Sequence, residues 1–260
     1  MAGARKTVLV VGATGSIGRH AVAEALANGH RVRALVRSAS RASMLPDAAE
    51  IVVGDVTRPD TLPQALDGVD AIVWTLGSSG GSHTEAVDYA GVLNILKALD
   101  GRSPHIALMT AIGLTGRLPG YADLQDWKRR SERLVRASDL PYTIVRPGWF
   151  GLNDADQHRP VFLQGDKRRS GSPSDGVIAR EDIAKVLVAA VECEESQGRT
   201  LELVAESGVF PDDLRPMFEA LEPDAGGSLD GVGDLANMPL DKEPSRVAGD
   251  LDAVRKIRTV

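Results

Sequence analysis

Cysteine and aromatic residues are scarce in this sequence. Among its 260 residues Cys193 is the single cysteine, and the aromatic residues amount to 4%. One thiol cannot form a disulfide within the chain, which excludes a disulfide-stapled scaffold and fits a reducing compartment. The apolar segment near the N-terminus is too short to be a signal-peptide core or a membrane span. These absences favour a cytoplasmic protein without a membrane partner.

Positive charge is not in excess either. The formal net charge is −6, from 30 Lys and Arg residues against 36 Asp and Glu residues. Because the cations are scattered along the chain, the sequence offers no basic patch to attract a nucleic acid backbone. The five histidines lack the spacing of metal ligands. We therefore expect neither a nucleic acid partner nor a metal site.

What the sequence does contain is an alternation of short β-branched runs with longer stretches of helical period. The runs predict strands at 7–11, 31–36, 50–53, 71–75, 105–109, 143–145 and 200–204. The helical stretches lie at 17–27, 59–66, 85–99, 123–137 and 181–191. Such alternation is typical of βαβ units. It predicts an α/β fold, a Rossmann-type doubly wound parallel sheet.

Two segments show weaker periodicity than the rest. Residues 151–175 and the tail from 222 are rich in Gly, Pro, Asp and Ser, and we expect them to form a lid and a wrapping extension. The sequence has no internal repeat and no long linker. It therefore predicts a single domain over 1–260, with a core at about 6–205 and a small C-terminal extension at 206–260.

A glycine-rich turn, Gly12-Ala-Thr-Gly15-Ser-Ile-Gly18, joins the first predicted strand to the first predicted helix. Gly12 permits a tight turn, Gly15 lets the backbone approach a pyrophosphate, and Gly18 lets the helix pack closely. The helix N-terminus offers free N–H groups and a positive dipole end to the anion. A turn chosen only for packing is the alternative, which the strand–turn–helix setting disfavours. The predicted dinucleotide contacts are Gly12, Thr14, Gly15, Ser16, Ile17 and Gly18.

The end of the second predicted strand indicates which dinucleotide binds. NAD-specific sites usually place a carboxylate there, which accepts hydrogen bonds from the ribose hydroxyls and repels a 2′-phosphate. This chain has Arg37 and Ser38 instead, with Arg41 nearby. A guanidinium can hold a phosphate with two charge-assisted hydrogen bonds. We therefore predict NADP(H) as the cofactor, a solvated strand-end arginine being the alternative.

Further segments follow in a recognisable order. They are Ala34-Leu-Val-Arg37-Ser, Gly54-Asp55-Val, Thr110-Ala-Ile-Gly113, Lys128 with Glu132, Tyr142-Thr-Ile-Val-Arg146-Pro147-Gly148 and Ile178-Ala-Arg-Glu-Asp182-Ile-Ala. Together with the glycine turn, whose spacing departs by one residue from G-x-G-x-x-G, this set resembles an atypical short-chain dehydrogenase/reductase of the NmrA-like, NAD(P)H-binding branch. The resemblance covers residues 6 to about 205.

The resemblance implies cofactor contacts at the carboxyl ends of later strands, where ligands of open α/β sheets bind. The simpler alternative for Asp55 is a residue that caps a helix, and the simpler alternative for Lys128 is a solvated cation on a helix. The implied contacts are Asp55 and Val56 on the adenine edge, Leu76 and Gly77 on phosphates and ribose, Thr110 facing the nicotinamide, Lys128 on the nicotinamide ribose, and Pro147, Gly148, Trp149 and Phe150 along the nicotinamide side of the cleft.

The tyrosine that this family uses as a proton donor is missing. No tyrosine stands four residues before a lysine, and Tyr121 precedes Lys128 by seven residues. Two helical turns span about 10 Å, so Tyr121 would have to fold back from a loop to serve. The candidate catalytic residues are Thr110, Lys128 and Tyr121. Some NmrA-like proteins without the tyrosine are cofactor-sensing regulators, and others reduce quinones, flavins or similar acceptors.

Two functions therefore fit the sequence. One is an NADPH-dependent reductase of a small, possibly apolar, conjugated acceptor such as a quinone or enone. The other is a non-catalytic NADP(H) sensor that signals to a partner protein. Epimerase or dehydratase chemistry on a nucleotide sugar is disfavoured by the missing tyrosine. Gly77-Ser-Ser79-Gly-Gly81 fits the G-x-S-x-G motif of hydrolases. A hydrolase is nevertheless disfavoured, because no histidine sits in a recognisable partner motif.

Overall fold

An eight-stranded, mostly parallel β-sheet forms the centre of the protein. The computed structural model describes residues 4–78 and 83–257. A separate sheet of two short strands lies beside the main one. The strands are β1 (Thr7–Val11), β2 (Arg31–Val36), β3 (Glu50–Val53), β4 (Ala71–Trp74), β5 (His105–Met109), β6 (Tyr142–Pro147), β7 (Trp149–Phe150), β8 (Arg159–Leu163), β9 (Val177–Ile178) and β10 (Arg199–Glu206).

The order of the strands places a binding crevice at the centre of the sheet. The main sheet runs β3-β2-β1-β4-β5-β6-β10-β8, and β7 pairs with β9. Neighbours in the main sheet are parallel except β8, which runs antiparallel to β10. The chain order reverses at β1 and β4, which are paired by Val8 with Ala71. Ligands of doubly wound sheets bind outside the strand carboxyl ends at this reversal.

Helices cover both faces of the sheet, which confirms the Rossmann-type α/β prediction. Apolar side chains of α1 and α5 join one core cluster, and those of α2, α3, α4 and α7 join the other. No helix in the two described stretches is long and apolar enough to span a membrane. The helices are α1 (Gly18–Ala27), α2 (Pro63–Leu66), α3 (Ala90–Ala98), α4 (Ala122–Ala137), α5 (Arg180–Glu192), α6 (Arg215–Glu219) and α7 (Ser245–Arg255).

The sequence pattern predicted most of these elements and missed some. Strands β1, β2, β3 and β5 have the predicted bounds, whereas β6 and β10 are longer than predicted. Segment 151–175, expected to be a lid, contains β8, which completes the sheet edge. Its second residue, Pro160, weakens the strand pattern, yet an edge strand tolerates proline because one side needs no ladder bonds. The predicted helix at 85–99 begins as a π-helical turn over Glu85–Tyr89.

Ion pairs hold the C-terminal extension to α4 and β6. The arginine side chains in these pairs are nearly or completely buried. Buried charges are tolerated when they are paired. The arginine-rich face of α4 therefore depends on the carboxylates of the extension. The pairs are Arg129 with Asp230 (3.1 Å), Arg130 with Glu243 (2.7 Å), Arg133 with Asp230 (2.8 Å), Arg136 with Asp224 (3.0 Å) and Arg146 with Asp234 (2.7 Å).

Candidate cofactor and substrate site

The glycine turn lies at the carboxyl end of β1, against the end of β4. Gly12 has a φ of +87°, and a Cβ there would lie 2.8 Å from the backbone nitrogen of Leu76. A Cβ at Gly18 would collide with the Gly12 carbonyl oxygen. Gly15 donates its N–H to that carbonyl at 2.8 Å and is itself exposed. The turn is therefore closed on its inner side and open on the side where an anion would meet the N-terminus of α1.

Thr75 fixes this turn, although the sequence analysis did not name it. Its hydroxyl donates to the Val11 carbonyl at 3.0 Å, which ties the end of β4 to the end of β1. A Cβ at Gly12 would lie 3.0 Å from the same hydroxyl oxygen. Leu76 follows, half-buried, and its carbonyl accepts from the Trp74 indole at 2.8 Å. In the sequence, Thr75 looks like the ordinary last residue of a predicted strand, so nothing marked it as a residue of the site.

Exposed arginines lie around the ends of β1 and β2. Arg37, Ser38 and Arg41 are exposed, and the Ser38 hydroxyl lies 2.8 Å from that of Ser40. Arg19, on the first turn of α1, is also exposed. In the described parts of the chain, no carboxylate lies within 4.0 Å of Arg19, Arg37 or Arg41. Their guanidinium groups are free to meet a phosphate, and Arg19 is a candidate that sequence reasoning missed.

The turn after β3 shows a structural use for Asp55. Its Oδ1 accepts from the N–H and the hydroxyl of Thr57, at 2.9 and 2.8 Å. Val56 is buried, and its carbonyl accepts from the Asn94 side-chain amide at 2.8 Å. Both residues thus stabilise the turn and its contact with α3. Their contact with an adenine stays a prediction.

Lys128 lies beside the end of β4 and is held there by a buried carboxylate, and its contact with a nicotinamide ribose stays a prediction. Its Nζ donates to Asp88 Oδ1 at 2.6 Å, and a Cβ at Gly77 would lie 3.1 Å from Nζ. The second Asp88 oxygen accepts from the N–H of Ser78 at 3.1 Å and from its hydroxyl. Asp88 therefore orients both Lys128 and the residue after Gly77. Sequence reasoning missed Asp88, which lies 40 residues before Lys128.

Thr110, at the end of β5, directs its hydroxyl into the protein. The hydroxyl donates to Glu132 Oε1 at 2.7 Å. Arg146 grips both oxygens of Glu132, with Nε at 3.0 Å and Nη2 at 2.6 Å. A hydroxyl that donates inward can still accept a hydrogen bond from the cleft, but it has no second proton to offer. This geometry makes Thr110 an acceptor toward any ligand.

Arg146 keeps its charge although it is completely buried. Burial lowers the pKa of Arg146, but the charge of Glu132 and the contacts with Asp234 outweigh this and hold the pKa well above its ordinary value. Glu202 also lies 3.4 Å from Arg146, and burial raises the pKa of Glu202 to about 7. The cation is therefore permanent, and it keeps Glu132 available as the acceptor for Thr110.

Tyr121 is not brought into contact with Lys128. It directly precedes α4, and 54% of its surface is exposed. Within the residues that the structure describes, nothing hydrogen-bonds its hydroxyl, and the Lys128 ammonium is engaged by Asp88. A phenol acidified by a neighbouring ammonium is therefore not assembled here. Three residues of the G-x-S-x-G match, 79–81, lie outside the described residues.

The wall after β6 presents aromatic surface. Pro147 ends β6, and a Cβ at Gly148 would lie 2.5 Å from the Gly176 carbonyl oxygen, so only glycine fits that approach. Trp149 and Phe150 then pair with β9 and are 36% and 40% exposed. Exposed aromatic rings beside a strand end can receive a flat apolar ligand.

The structure thus places most of the predicted residues along one edge of the sheet. The glycine turn, Gly77, Lys128, Thr110 and the wall from Pro147 to Phe150 follow the carboxyl ends of β1, β4, β5 and β6 or lie against them. Whether each residue touches a cofactor stays a prediction. The glycine turn itself fits a dinucleotide, because its backbone N–H groups and exposed Gly15 leave room for a phosphate.

Comparison with known proteins decides the family. A family model described as NAD(P)H-binding matches residues 12–194. The chain belongs to this NAD(P)H-binding family. The match includes the glycine turn and the ends of β4, β5 and β6, which supports a nicotinamide dinucleotide as the ligand of this crevice.

Individual relatives differ in what they are described to do. A photosystem II assembly factor from Synechocystis sp. is 30% identical over 202 residues, which cover 76% of this chain and 62% of that protein. Sanguinarine reductase from Eschscholzia californica is 28% identical over 245 residues, covering 76% of this chain and 88% of that one. A solved structure described as a candidate NAD-dependent epimerase/dehydratase from Bacillus halodurans aligns with a TM-score of 0.70 and 25% identity, covering 83% of this chain and 100% of that one.

Proposed function

We propose that this protein is an NADPH-dependent reductase of a conjugated acceptor such as a quinone or enone, within the NmrA-like branch of the atypical short-chain dehydrogenases/reductases. The observation that carries the proposal is the inward hydrogen bond from Thr110 to Glu132. The Thr110 proton is committed to Glu132, Tyr121 stands apart from Lys128, and we assign the remaining Lys128 donors to ribose hydroxyls, so the proposal uses none of the three as a proton donor. The acceptor must therefore be one that needs little acid catalysis.

A conjugated acceptor meets this requirement because it spreads the incoming negative charge over its own π system. When bound, NADPH would supply a hydride and become NADP⁺, and the acceptor would take up that hydride together with one proton from water. Trp149 and Phe150 offer the apolar wall for such a flat molecule. A mechanism without a protein acid also explains how the site functions without the family's tyrosine.

The residues of the site have separable tasks in this proposal. Lys128 keeps two ammonium N–H donors beyond its bond to Asp88, and these can hold ribose hydroxyls. Thr110 can accept from an amide N–H, because its own proton points to Glu132. The glycine turn supplies backbone donors for the pyrophosphate. These groups bind and orient, and none of them is asked to move a proton.

Preference for NADP(H) over NAD(H) is part of the proposal. Its support is the exposed and unpaired state of Arg37 and Arg41 near Ser38, together with Arg19 on the adjoining helix turn. Unpaired guanidinium groups recognise phosphate by bidentate, charge-assisted hydrogen bonds. An NAD-specific carboxylate does not stand at the end of β2, where the chain reads Val36-Arg37-Ser38.

A second candidate function, a non-catalytic NADP(H) sensor, has one specific observation in its favour. Buried contacts run from Thr110 through Glu132 and Arg146 to Asp234 of the C-terminal extension. A change at the crevice could therefore reach a surface that meets a partner protein. That one relative is described as an assembly factor is consistent with this candidate.

The two candidates are separated by turnover. Purified protein would be titrated with NADPH by calorimetry and then mixed with a panel of quinones and enones while the NADPH absorbance is followed. Loss of absorbance that depends on both protein and acceptor is the result expected of a reductase. Tight NADPH binding without turnover across the panel would contradict the reductase and support the sensor.

A further inference from the structure

Four cations lie in two segments on the β5–β6 side of the sheet, away from the glycine turn: three follow Asp166 and one begins α5. We call Lys167, Arg168, Arg169 and Arg180 the basic wall. Three of them follow Asp166, whose carboxylate accepts from the N–H groups of Gly113 and Thr115 at 2.6 and 2.7 Å. These bonds fasten the segment to the loop that leaves β5. The backbone that carries Lys167, Arg168 and Arg169 is therefore anchored beside this loop.

Contacts place Arg168 between the loop after β5 and the residue before β9. A Cβ at Gly113 would lie 3.5 Å from the Arg168 carbonyl, and one at Gly176 would lie 3.3 Å from Arg168 Nη1. The Gly176 carbonyl accepts from the N–H of Trp149 at 2.9 Å. Arg168 thus bridges the loop after β5 and the aromatic wall after β6.

Arg180 lies beside Phe150, the second aromatic residue after β6. Its guanidinium lies 5.0 Å from the centre of the Phe150 ring. Its Nε is buried and has no hydrogen-bond partner in the described structure. Arg180 is also the first residue of α5, where the positive end of the helix dipole disfavours a cation. An anion bound at the terminal nitrogens of Arg180 would offset the unfavourable position of the cation at this end of the helix.

The carboxylates near the basic wall are used elsewhere. Asp175 accepts from the N–H groups of Ser170 and Gly171 at 2.8 Å each, and although burial raises the pKa of Asp175, these bonds hold it below its ordinary value. Asp182 is engaged by His158 and Lys185 at 2.6 and 3.1 Å. Over residues 4–78 and 83–257, no carboxylate lies within 4.0 Å of any cation of the basic wall.

The phosphates of a dinucleotide do not account for these cations. The pyrophosphate and 2′-phosphate positions follow β1 and β2, whereas the basic wall follows β5 and β6. From β1 to β6 there are three strand spacings, or about 14 Å at ~4.8 Å each. The anion that the basic wall can hold therefore belongs to the other ligand of the crevice, the acceptor.

We propose that the basic wall binds a carboxylate carried by the conjugated acceptor, so that the substrate is an anion with a flat apolar body. This inference rests on the proposed function for the identity of the crevice's second ligand. Trp149 and Phe150 would contact the flat body, while Arg168 and Arg180 hold the carboxylate. Recognition of this kind is directional, because a guanidinium binds a carboxylate through two parallel hydrogen bonds.

The test is a binding measurement that needs no turnover. Protein saturated with NADP⁺ is titrated by calorimetry with anthraquinone-2-carboxylate and, separately, with its neutral methyl ester. We expect the carboxylate to bind at least about tenfold more tightly at low salt, with the gap narrowing as salt rises. Arg168→Gln should remove most of the gap and Arg168→Glu should reverse it, while both leave the ester within about twofold.

The control is Arg31→Gln, which removes another exposed arginine, at the N-terminal end of β2 and away from the crevice. It should leave both affinities unchanged, because it alters net charge without touching the basic wall. Three results would overturn the inference: equal affinity of the wild-type protein for the two ligands, equal weakening of both by Arg168→Gln, or binding of neither.

Turnover is measured separately, so that failure of the reductase proposal can be distinguished from failure of the anion-site proposal. NADPH oxidation by neutral quinones, with no preference for the carboxylate ligand in the binding measurement, would contradict the proposed anion site and leave the proposed reductase activity standing. Preferential carboxylate binding without NADPH oxidation by any acceptor would contradict the reductase and leave the anion site intact.

Discussion

The arginines on the two sides of this protein are used differently. On the face of α4 and on β6 they are buried and paired with carboxylates of the C-terminal extension, as Arg146 is with Asp234. Around the crevice, Arg37 and Arg168 are exposed, and no carboxylate of the described chain lies within 4.0 Å of them. Unpaired cations at one edge of a protein with a net charge of −6 are the groups available to an anionic ligand.

The comparison teaches where each kind of arginine contributes. Removing one partner of a buried ion pair leaves an uncompensated charge and costs about 3–5 kcal/mol, whereas surface substitutions usually stay within about 0.5 kcal/mol. We therefore expect changes on the extension side to alter stability, and changes around the crevice to alter binding.

The largest effect is expected from Arg146→Met. The change removes the cation that Glu132 and Asp234 share and leaves both buried carboxylates without it. We expect it to lower the free energy of unfolding by about 3–5 kcal/mol. Chemical denaturation followed by circular dichroism measures the free energy of unfolding. Arg168→Gln, which also removes one guanidinium, is the matched control and should change it by less than about 0.5 kcal/mol. Similar losses in the two variants would remove the distinction between the two sides.

Next in size is the effect of Gly15→Val on NADPH binding. Gly15 is exposed, but a Cβ would lie 3.0 Å from the Gly12 carbonyl and branch into the space where the pyrophosphate is expected. Overpacking costs about 1–3 kcal/mol, and a loss at the upper end of that range weakens affinity about a hundredfold. Calorimetry on the folded variant measures its affinity for NADPH. Gly226→Val, at a glycine with open space around its Cβ position, should bind normally; unchanged affinity in Gly15→Val would refute the turn as the cofactor site.

Elements defined by local pattern were predictable from the sequence. The glycine turn lies between a strand and a helix that the periodicity of residues 7–27 already indicates, and the structure places it there. Strand β8 was missed because Pro160 obscures a short edge strand. The π-helical turn over Glu85–Tyr89 was missed because its apolar spacing does not separate it from an α-helix.

The charged partners of the site could not be read from the sequence. Asp88 meets Lys128 across 40 residues, and Asp166 meets Gly113 across 53. A single sequence reveals pairs three or four residues apart on a helix, but contacts over such separations arise only when the sheet assembles. The same limit applies to Asp234, whose use as a partner of Arg146 gave no local signal.

A moderate effect is expected from Arg37→Ala on the preference for NADPH over NADH. NADPH should bind at least about tenfold more tightly than NADH at moderate salt, because Arg37 can form charge-assisted hydrogen bonds to the 2′-phosphate. Arg37→Ala should remove most of this ratio, while Arg31→Ala, at the other end of β2, should preserve it. Competitive titration at two salt concentrations gives both affinities. Equal affinities in the wild-type protein would place Arg37 among solvated surface cations.

The smallest effect is expected from Tyr121→Phe. General acid catalysis contributes about a hundredfold to ten-thousandfold, so a phenol that donated the proton would lose at least a hundredfold in kcat when its hydroxyl is removed. Here Tyr121 is largely exposed, and the ammonium of Lys128 is bound to Asp88. Turnover of a quinone by Tyr121→Phe should therefore stay within about threefold of wild type, with an unchanged dependence of kcat on pH. Asp88→Asn is the contrasting variant: it releases Lys128 and should raise the KM for NADPH, because the ammonium that we propose to bind ribose hydroxyls is no longer held beside Gly77. A hundredfold loss in Tyr121→Phe would instead mean that the loop before α4 carries the acid, and the crevice would then suit acceptors that require protonation.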